Sequence, residues 1–327
     1  MSDTAFTTED LLRGAAETAT RAPSIFNTQP WRWQVGDGVL ELRADRGRQL
    51  AVTDPEGRML TISCGIALHH ARISLAADGQ QPVVDYLPDT ADPDLLARIA
   101  LAGPVTPADP ADSRLREAIA RRHTDRRPFT DTPVPDGVVD RLRTAAEARG
   151  VYLAELGGDS MVRFQVTAAR AGDLDQNDPA YQAELAEWTH RPAGSGDGIP
   201  AATTVPATPR RIPLRAFFPD GGEGLLPGPG RDGGARYLVL WTTHDGPADW
   251  LAAGEATSLA LLETTASGLA ASPMTDVIEI PASRTLLHRL LNNLGHAQIA
   301  LRIGVPADDT APGTPRRASA EVIETDH

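Results

Sequence analysis

The chain has 327 residues, 41% of them hydrophobic, which suffices for one large or two ordinary domains with a sizeable core. A formal net charge of -13 argues against general affinity for DNA, RNA or an anionic membrane, so any phosphate site must be local. The single cysteine, Cys64, excludes an internal disulfide framework and a multi-cysteine zinc site and fits a reducing, cytoplasmic location.

The opening MSDTAFTTED is polar and acidic and does not read as a signal peptide. Residues 8–22 have helical spacing, with Thr7 or Thr8 as N-cap. The following Pro23-Ser24-Ile25-Phe26-Asn27-Thr28-Gln29-Pro30 is too polar and proline-marked to be regular and reads as a loop. Alternation on both sides of Gly36-Asp37-Gly38 predicts a β-hairpin over 31–43. A long helix is expected over 57–78, strands over 82–86 and 98–101, and helices over 112–121 and 135–149. From about 173 to 232 the composition shifts to Gly, Pro, Asp and Ala, the signature of an insertion or lid. Within it, Tyr181, Leu185 and Trp188 have the spacing of an amphipathic helix. Strands are then expected at 237–242, 276–280 and 298–305, and helices at 249–267 and 282–292. The longest apolar runs, such as 238–241, fall far short of the roughly 20 residues that cross a bilayer.

An internal repeat emerges from this punctuation. Leu12-Arg13-Gly14-Ala15-Ala16-Glu17 returns as Leu142-Arg143-Thr144-Ala145-Ala146-Glu147, an offset of 142 - 12 = 130. Gly65-Ile66-Ala67 returns as Gly254-Glu255-Ala256, an offset of 254 - 65 = 189. The two offsets differ by 59, close to the length of the 173–232 segment, which favours duplication over chance likeness of Ala-rich helices. The expected domains are a first half over 1–110 and a second over 111–327, with the lid-like insertion inside the second.

Several common chemistries are excluded, because the chain has no G-x-S-x-G, H-E-x-x-H or G-x-x-x-x-G-K-[ST]. His69 and His70 are adjacent and point about 100° apart on a helix, so they cannot form the usual metal-ligand pair, and no metal site is expected. Gly228-Pro229-Gly230-Arg231-Asp232-Gly233 spells a dinucleotide fingerprint but precedes a strand instead of opening a helix. What remains is arginine clustering in an acidic chain: Arg121, Arg122, Arg126 and Arg127 around His123 and Thr124, and Arg316 with Arg317. Planar guanidinium forks and a hydroxyl suit a phosphomonoester, although an isolated cluster of this kind is more often a solvated basic face.

The loop Ala22-Pro23-Ser24-Ile25-Phe26-Asn27-Thr28-Gln29-Pro30-Trp31 resembles the A-P-S-x-x-N-x-Q-P-W motif of FMN-dependent nitroreductases. Arg122-His123-Thr124-Asp125-Arg126 resembles their R-x-[ST]-x-[RK] motif, and Gly268 to Thr275 the segment that runs beside the reactive flavin nitrogen. Thr314-Pro315-Arg316-Arg317 resembles their terminal basic pair, with closest similarity to the Acg-like actinobacterial branch.

The resemblance implies an α+β nitroreductase-like fold, an internally duplicated pseudo-dimer with mostly antiparallel central sheets and surrounding helices. It implies one composite FMN site: Pro23, Ser24, Asn27 and Gln29 from one half, Arg121, Arg122, His123, Thr124, Arg126, Pro273, Met274 and Thr275 from the other, and Arg316 and Arg317 at the phosphate. The flavin would carry the chemistry, with NAD(P)H as electron donor, a nitroaromatic or quinone-like acceptor, and no side-chain general base. The competing reading is an FMN-sequestering or storage protein with a lidded flavin. The implied partner is a small molecule, with neither nucleic acid nor membrane, and the chain is expected to act as a pseudo-dimeric monomer.

Overall fold

The computed structural model describes residues 6–105, 107–206, 210, 212–218, 224–308 and 310–325. Helix α1, Thr8–Ala19, starts at Thr7, whose side chain accepts from the Asp10 amide while Asp10 accepts in return from the Thr7 amide. After the 23–30 loop, β1 (Trp31–Gly36) and β2 (Val39–Ala44) form a hairpin whose turn residues Asp37 and Gly38 both take positive φ. Helix α2 spans Arg58–Ala77, followed by β3 (Gln80–Tyr86) and β4 (Leu95–Pro104). Helices α3 (Pro110–Arg121) and α4 (Val138–Glu147) lead to β5 (Tyr152–Glu155), α5 (Gly158–Gln176) and α6 (Pro179–Thr189). Strand β6 (Arg236–Thr242) and helix α7 (Pro247–Ala266) precede β7 (Ala270–Met274), α8 (Asp276–Glu279), α9 (Pro281–Leu290) and β8 (His296–Gly304). The chain closes with α10 (Ser319–Val322) and β9 (Ile323–Thr325).

Two sheets result. The first has the order β3-β4-β2-β1-β9, antiparallel except where β9 pairs parallel to β1, and the second, β5-β6-β8-β7, is antiparallel throughout. Helix α2 packs against the first sheet, α7 against the second, and the two helices against each other. Both are apolar around most of their circumference, as a doubly covered helix must be. Their crossing is set by glycine: a Cβ on Gly65 would lie 2.4 Å from the Leu251 carbonyl oxygen, and one on Gly254 would lie 2.2 Å from that of Ile62. These contacts are reciprocal, since 251 - 62 and 254 - 65 both equal 189.

The strand expected at 276–280 is a correction. The β-branched run Val277-Ile278 suggests a strand, but Pro281 opens α9 directly behind it and Thr275 caps a helical turn, so these residues form α8 and the strand lies earlier, at Ala270–Met274. Strands β5 and β9 and helix α5 lie where no element was anticipated. Helix α6 forms as the spacing of Tyr181, Leu185 and Trp188 requires, and all three are buried.

Candidate functional site

A cleft of about 790 Å³ opens between the two helices, the 23–26 segment and strands β7 and β8 of the second sheet. Its floor is α2 (Met59, Ile62, Ser63, Ile66) and α7 (Thr257, Leu261), and its rim is Pro23, Ser24, Thr124, Arg126 and the stretch Ser272 to Asp276. The 23–30 loop is bent sharply to reach it, with Phe26, Asn27 and Gln29 all at positive φ. Such backbone costs on the order of 1–3 kcal/mol per residue and persists only where surrounding contacts over-determine it. Here those contacts are the Ser63 hydroxyl accepting from the Ile25 amide at 3.2 Å and the Ser24 hydroxyl accepting from the Gln29 amide at 2.8 Å.

Arg126 is aimed by its neighbours. Thr124 bridges in parallel to Ala271, and the Asp125 amide donates to the Ala271 carbonyl at 3.0 Å, tying this segment to β7. From β8, the buried Arg302 donates to the carbonyls of Asp125 and Arg127 at 3.0 and 2.9 Å. Asp125 and Arg127 pair with each other at 2.9 Å, leaving Arg126 to line the cleft. Its guanidinium donates to the Thr203 carbonyl at 2.9 Å, and burial together with Arg215 pushes its pKa down to about 10.

A second cationic cluster lies beyond Pro23. Arg122 is buried with no partner for its Nε and, among the described residues, no recorded ion pair; burial and nearby Arg316 push its pKa down to about 9. Arg316 arrives on the segment between β8 and α10, donates to the Arg21 carbonyl at 3.0 Å and to Asn27 Oδ1 at 3.2 Å, and also keeps an unpartnered Nε. Burial and Arg21 push its pKa down to about 10. With no carboxylate paired to either among the described residues, a buried and a half-buried guanidinium side by side cost free energy until an anion joins them.

The roof comes from the insertion. Leu214, Arg215 and Phe217 line the cleft, and Phe217 lies between the guanidiniums of Arg126 (4.7 Å) and Arg215 (5.8 Å), edge-on to Phe26 at 6.4 Å. Arg215 is held by a buried ion pair to Glu279 Oε2 at 2.6 Å. The earlier part of the insertion is a clamp, not a cover: Asp197 pairs with Arg48 and Arg191, both of which lie over Trp188. Burial works against the Asp197 carboxylate, but hydrogen bonds from Arg191, Ser195 and Arg48 hold it down at about 2. Of the insertion expected over about 173–232, residues 207–209, 211 and 219–223 lie outside the described residues.

The expected site residues therefore divide. Pro23, Ser24, Thr124, Arg126, Pro273, Met274 and Thr275 line the cleft, whereas Arg122 and Arg316 do not line it but are near enough to each other for Arg316 to lower the Arg122 pKa. Asn27 and Gln29 do not line it. Asn27 Nδ2 donates to the carbonyls of Gly198 and Pro315 at 3.0 and 3.1 Å, and Gln29 Nε2 to that of Gly196 at 2.8 Å while its Oε1 accepts from the Arg317 amide at 3.0 Å. Their amides brace the two segments that enclose the site. Arg317 turns toward Glu321 at 3.4 Å, Arg121 is exposed, and His123 Nδ1 lies 3.1 Å from the Arg121 carbonyl, so these three stand apart from the cleft. Among the described residues no group of acidic, histidine or cysteine side chains is arranged to hold a metal. Cys64 is buried with its thiol pKa driven up by desolvation, which makes it inert. Arg215, Ser63 and Asp276 were not anticipated at the cleft; only the helical spacing of Ser63 with Met59, Ile62 and Ile66 could have found one of them.

No family model matches the chain. It is 40% identical over 329 residues to "Putative NAD(P)H nitroreductase Rv3131" of Mycobacterium tuberculosis, covering 98% of this chain and 93% of that protein. It is 36% identical over 330 residues to "Putative NAD(P)H nitroreductase acg" of the same organism, covering 99% and 98%. Among solved structures, an FMN- and NADPH-dependent nitroreductase, NfnB, is a distant likeness at 20% identity and a TM-score of 0.43, over 65% of this chain and 99% of that one. No described helix is long and apolar enough to cross a membrane. Near-full-length similarity at this level places the chain in the nitroreductase family, in its Acg-like branch.

Proposed function

We propose that this protein is an FMN-dependent oxidoreductase that passes electrons from NAD(P)H to a small electron-poor acceptor such as a nitroaromatic or a quinone. The observation that carries the reading is the pair Arg122, buried two residues before the cleft-lining Thr124, and the half-buried Arg316, which lowers the Arg122 pKa, each with an Nε that has no partner among the described residues. These residues fit a phosphomonoester, whose negative charge and acceptor oxygens match two guanidinium forks. The cleft beyond them has the size and mixed lining of a cofactor site.

FMN bound there would supply the hydride- and electron-transfer chemistry. Arg122 and Arg316 would hold the phosphoryl group, and Ser24 and Thr124 would present hydroxyls at the rim. Arg126 would place a fixed positive charge against the ring system, in a setting where little water screens it. Leu214 and Phe217 would exclude water from above and limit what can approach. The sequestering alternative gains no specific support.

We read the chain further as two fused halves that build one such site. Under the 189-residue offset the floor residues Ile66 and Leu261 correspond to Glu255 and Arg72, which form an ion pair joined by the Tyr86 hydroxyl, 2.8 Å from Glu255 Oε2. Charged and polar side chains, buried at Glu255 and exposed at Tyr86, thus stand where the first cleft has an apolar floor, which supports one FMN per chain. The test is the absorbance of the protein with FMN before and after anaerobic NADPH. Bleaching is expected; a bound yellow flavin that NADPH leaves unchanged overturns the oxidoreductase reading in favour of sequestration.

A further inference from the structure

We propose that His70 is a third ligand of the phosphoryl group, completing the site begun by Arg122 and Arg316 and selecting phosphorylated over unphosphorylated flavin. The inference rests on the FMN reading above and assigns to it a residue that no sequence motif marks.

The argument begins with helix geometry. The floor of the cleft uses Met59, Ile62, Ser63 and Ile66, one face of α2. His70 follows Ile66 by four residues and Ser63 by seven, so it continues that face one turn further along. The next turn of α2 runs beside the last turn of α1, since the Ser74 hydroxyl lies 3.2 Å from that of Thr18, and just past the end of α1 Arg316 donates to the Arg21 carbonyl. Helix α3, from which Arg122 emerges, packs against α2 as well. The imidazole is fully buried, yet among the described residues neither ring nitrogen has a hydrogen-bond partner. Its neighbour His69 shows the ordinary solution for a buried imidazole, with Nδ1 2.9 Å from the Ser258 hydroxyl.

A buried imidazole with two idle nitrogens costs free energy comparable to lost hydrogen bonds, so its retention calls for a ligand. That ligand must present acceptors and negative charge. Desolvation first, then Arg122 and Arg316, hold the His70 pKa well below its ordinary value, and an anion seated among the three would offset the like-charge part of that cost. The residue that corresponds to His70 in the other helix, at 70 + 189, is Leu259, an apolar side chain. The imidazole thus occurs only on the side that has the cationic cluster.

The experiment compares FMN, riboflavin and inorganic phosphate as ligands of the flavin-free full-length protein, by fluorescence titration and calorimetry, in wild type, His70→Leu and His70→Gln. His70→Leu is expected to weaken FMN at least tenfold while changing riboflavin affinity less than twofold, and His70→Gln, which keeps a donor, to recover part of the loss. The His70 ring resonances, assigned by their absence in His70→Gln, should move with FMN or phosphate and stay in place with riboflavin. Equal losses for both flavins, or ring resonances indifferent to FMN, overturn the assignment of His70. Wild-type protein that binds riboflavin as tightly as FMN would instead overturn the phosphate reading of the cluster itself, so the two failures are distinguishable.

Discussion

His69 and Ser258 meet across the central helix pair, Nδ1 2.9 Å from Oγ, and their separation of 189 residues equals that between Gly65 and Gly254 one turn earlier. Two such pairs in register mean that α2 and α7 cross about an axis passing between equivalent residues. Gly65→Ala or Gly254→Ala would push a methyl group into backbone of the opposite helix, so each is expected to destabilise by about 2–3 kcal/mol, the upper range for overpacking. Urea unfolding measures this; a change below about 0.5 kcal/mol would show that the helices can separate at little cost.

Arg122→Ala and Arg316→Ala should both weaken FMN, by about 1.5–3 kcal/mol or roughly 10- to 150-fold. They should differ in stability. Arg316 also ties Asn27 and the Arg21 carbonyl together, so its loss should lower the melting temperature of the flavin-free protein, whereas loss of the unpartnered, like-charged Arg122 should leave it unchanged or raise it. Titration with FMN and thermal melts of both variants check this.

The roof gives a third expectation. Removing Arg215 strands Glu279, which is 2% exposed, next to Asp276, and breaking a buried pair from one side costs about 3–5 kcal/mol. Phe217→Ala is gentler and should leave FMN bound while speeding its reduction by dithionite or NADPH several-fold. Stopped-flow reduction rates equal to wild type would mean that Phe217 does not restrict access.

Much of this architecture was legible in the sequence. The 31–43 hairpin and the long central helices follow from alternation and periodicity, and the meeting of Ser24, Thr124 and Arg126 at one cleft is what the family resemblance of their motifs implies. The hydrogen bonds of Asn27 and Gln29 to carbonyls at 196, 198 and 315 were not legible, because nothing local in the sequence distinguishes amides that brace backbone from amides that suit a flavin edge. Arg215 was hidden for a similar reason: its meaning depends on Glu279, 64 residues away, and on rings from three segments. The short helix at 276–279 was lost because β-branched residues serve a buried helical turn as well as a strand.

Burial pushes the Asp175 carboxyl up to about 7, with Glu279 and Asp276 adding to the effect and Arg215 opposing it, and Asp276 is raised to about 6 by burial. Both folded-state values lie above the ordinary carboxylate value, so the folded protein holds these protons longer than the unfolded chain. Their contribution to stability is complete below about pH 4 and is lost as pH rises through 6 to 7. Asp175→Asn should therefore flatten the fall in melting temperature between pH 5 and 8 and raise it most at pH 8. A variant whose melting temperature tracks wild type in parallel across that range would contradict the assignment.

Because the helices that touch at Gly65 and Gly254 lie on one polypeptide, their association is first order, and the floor of the cleft cannot come apart on dilution as an interface between separate subunits would. The two sides are also inherited independently. In a symmetric pair of identical subunits every substitution appears twice, at the useful site and at its image, whereas here Ile66 can stay apolar while Glu255 carries charge. One side is free to be tuned for its ligand because the other is free to become structural.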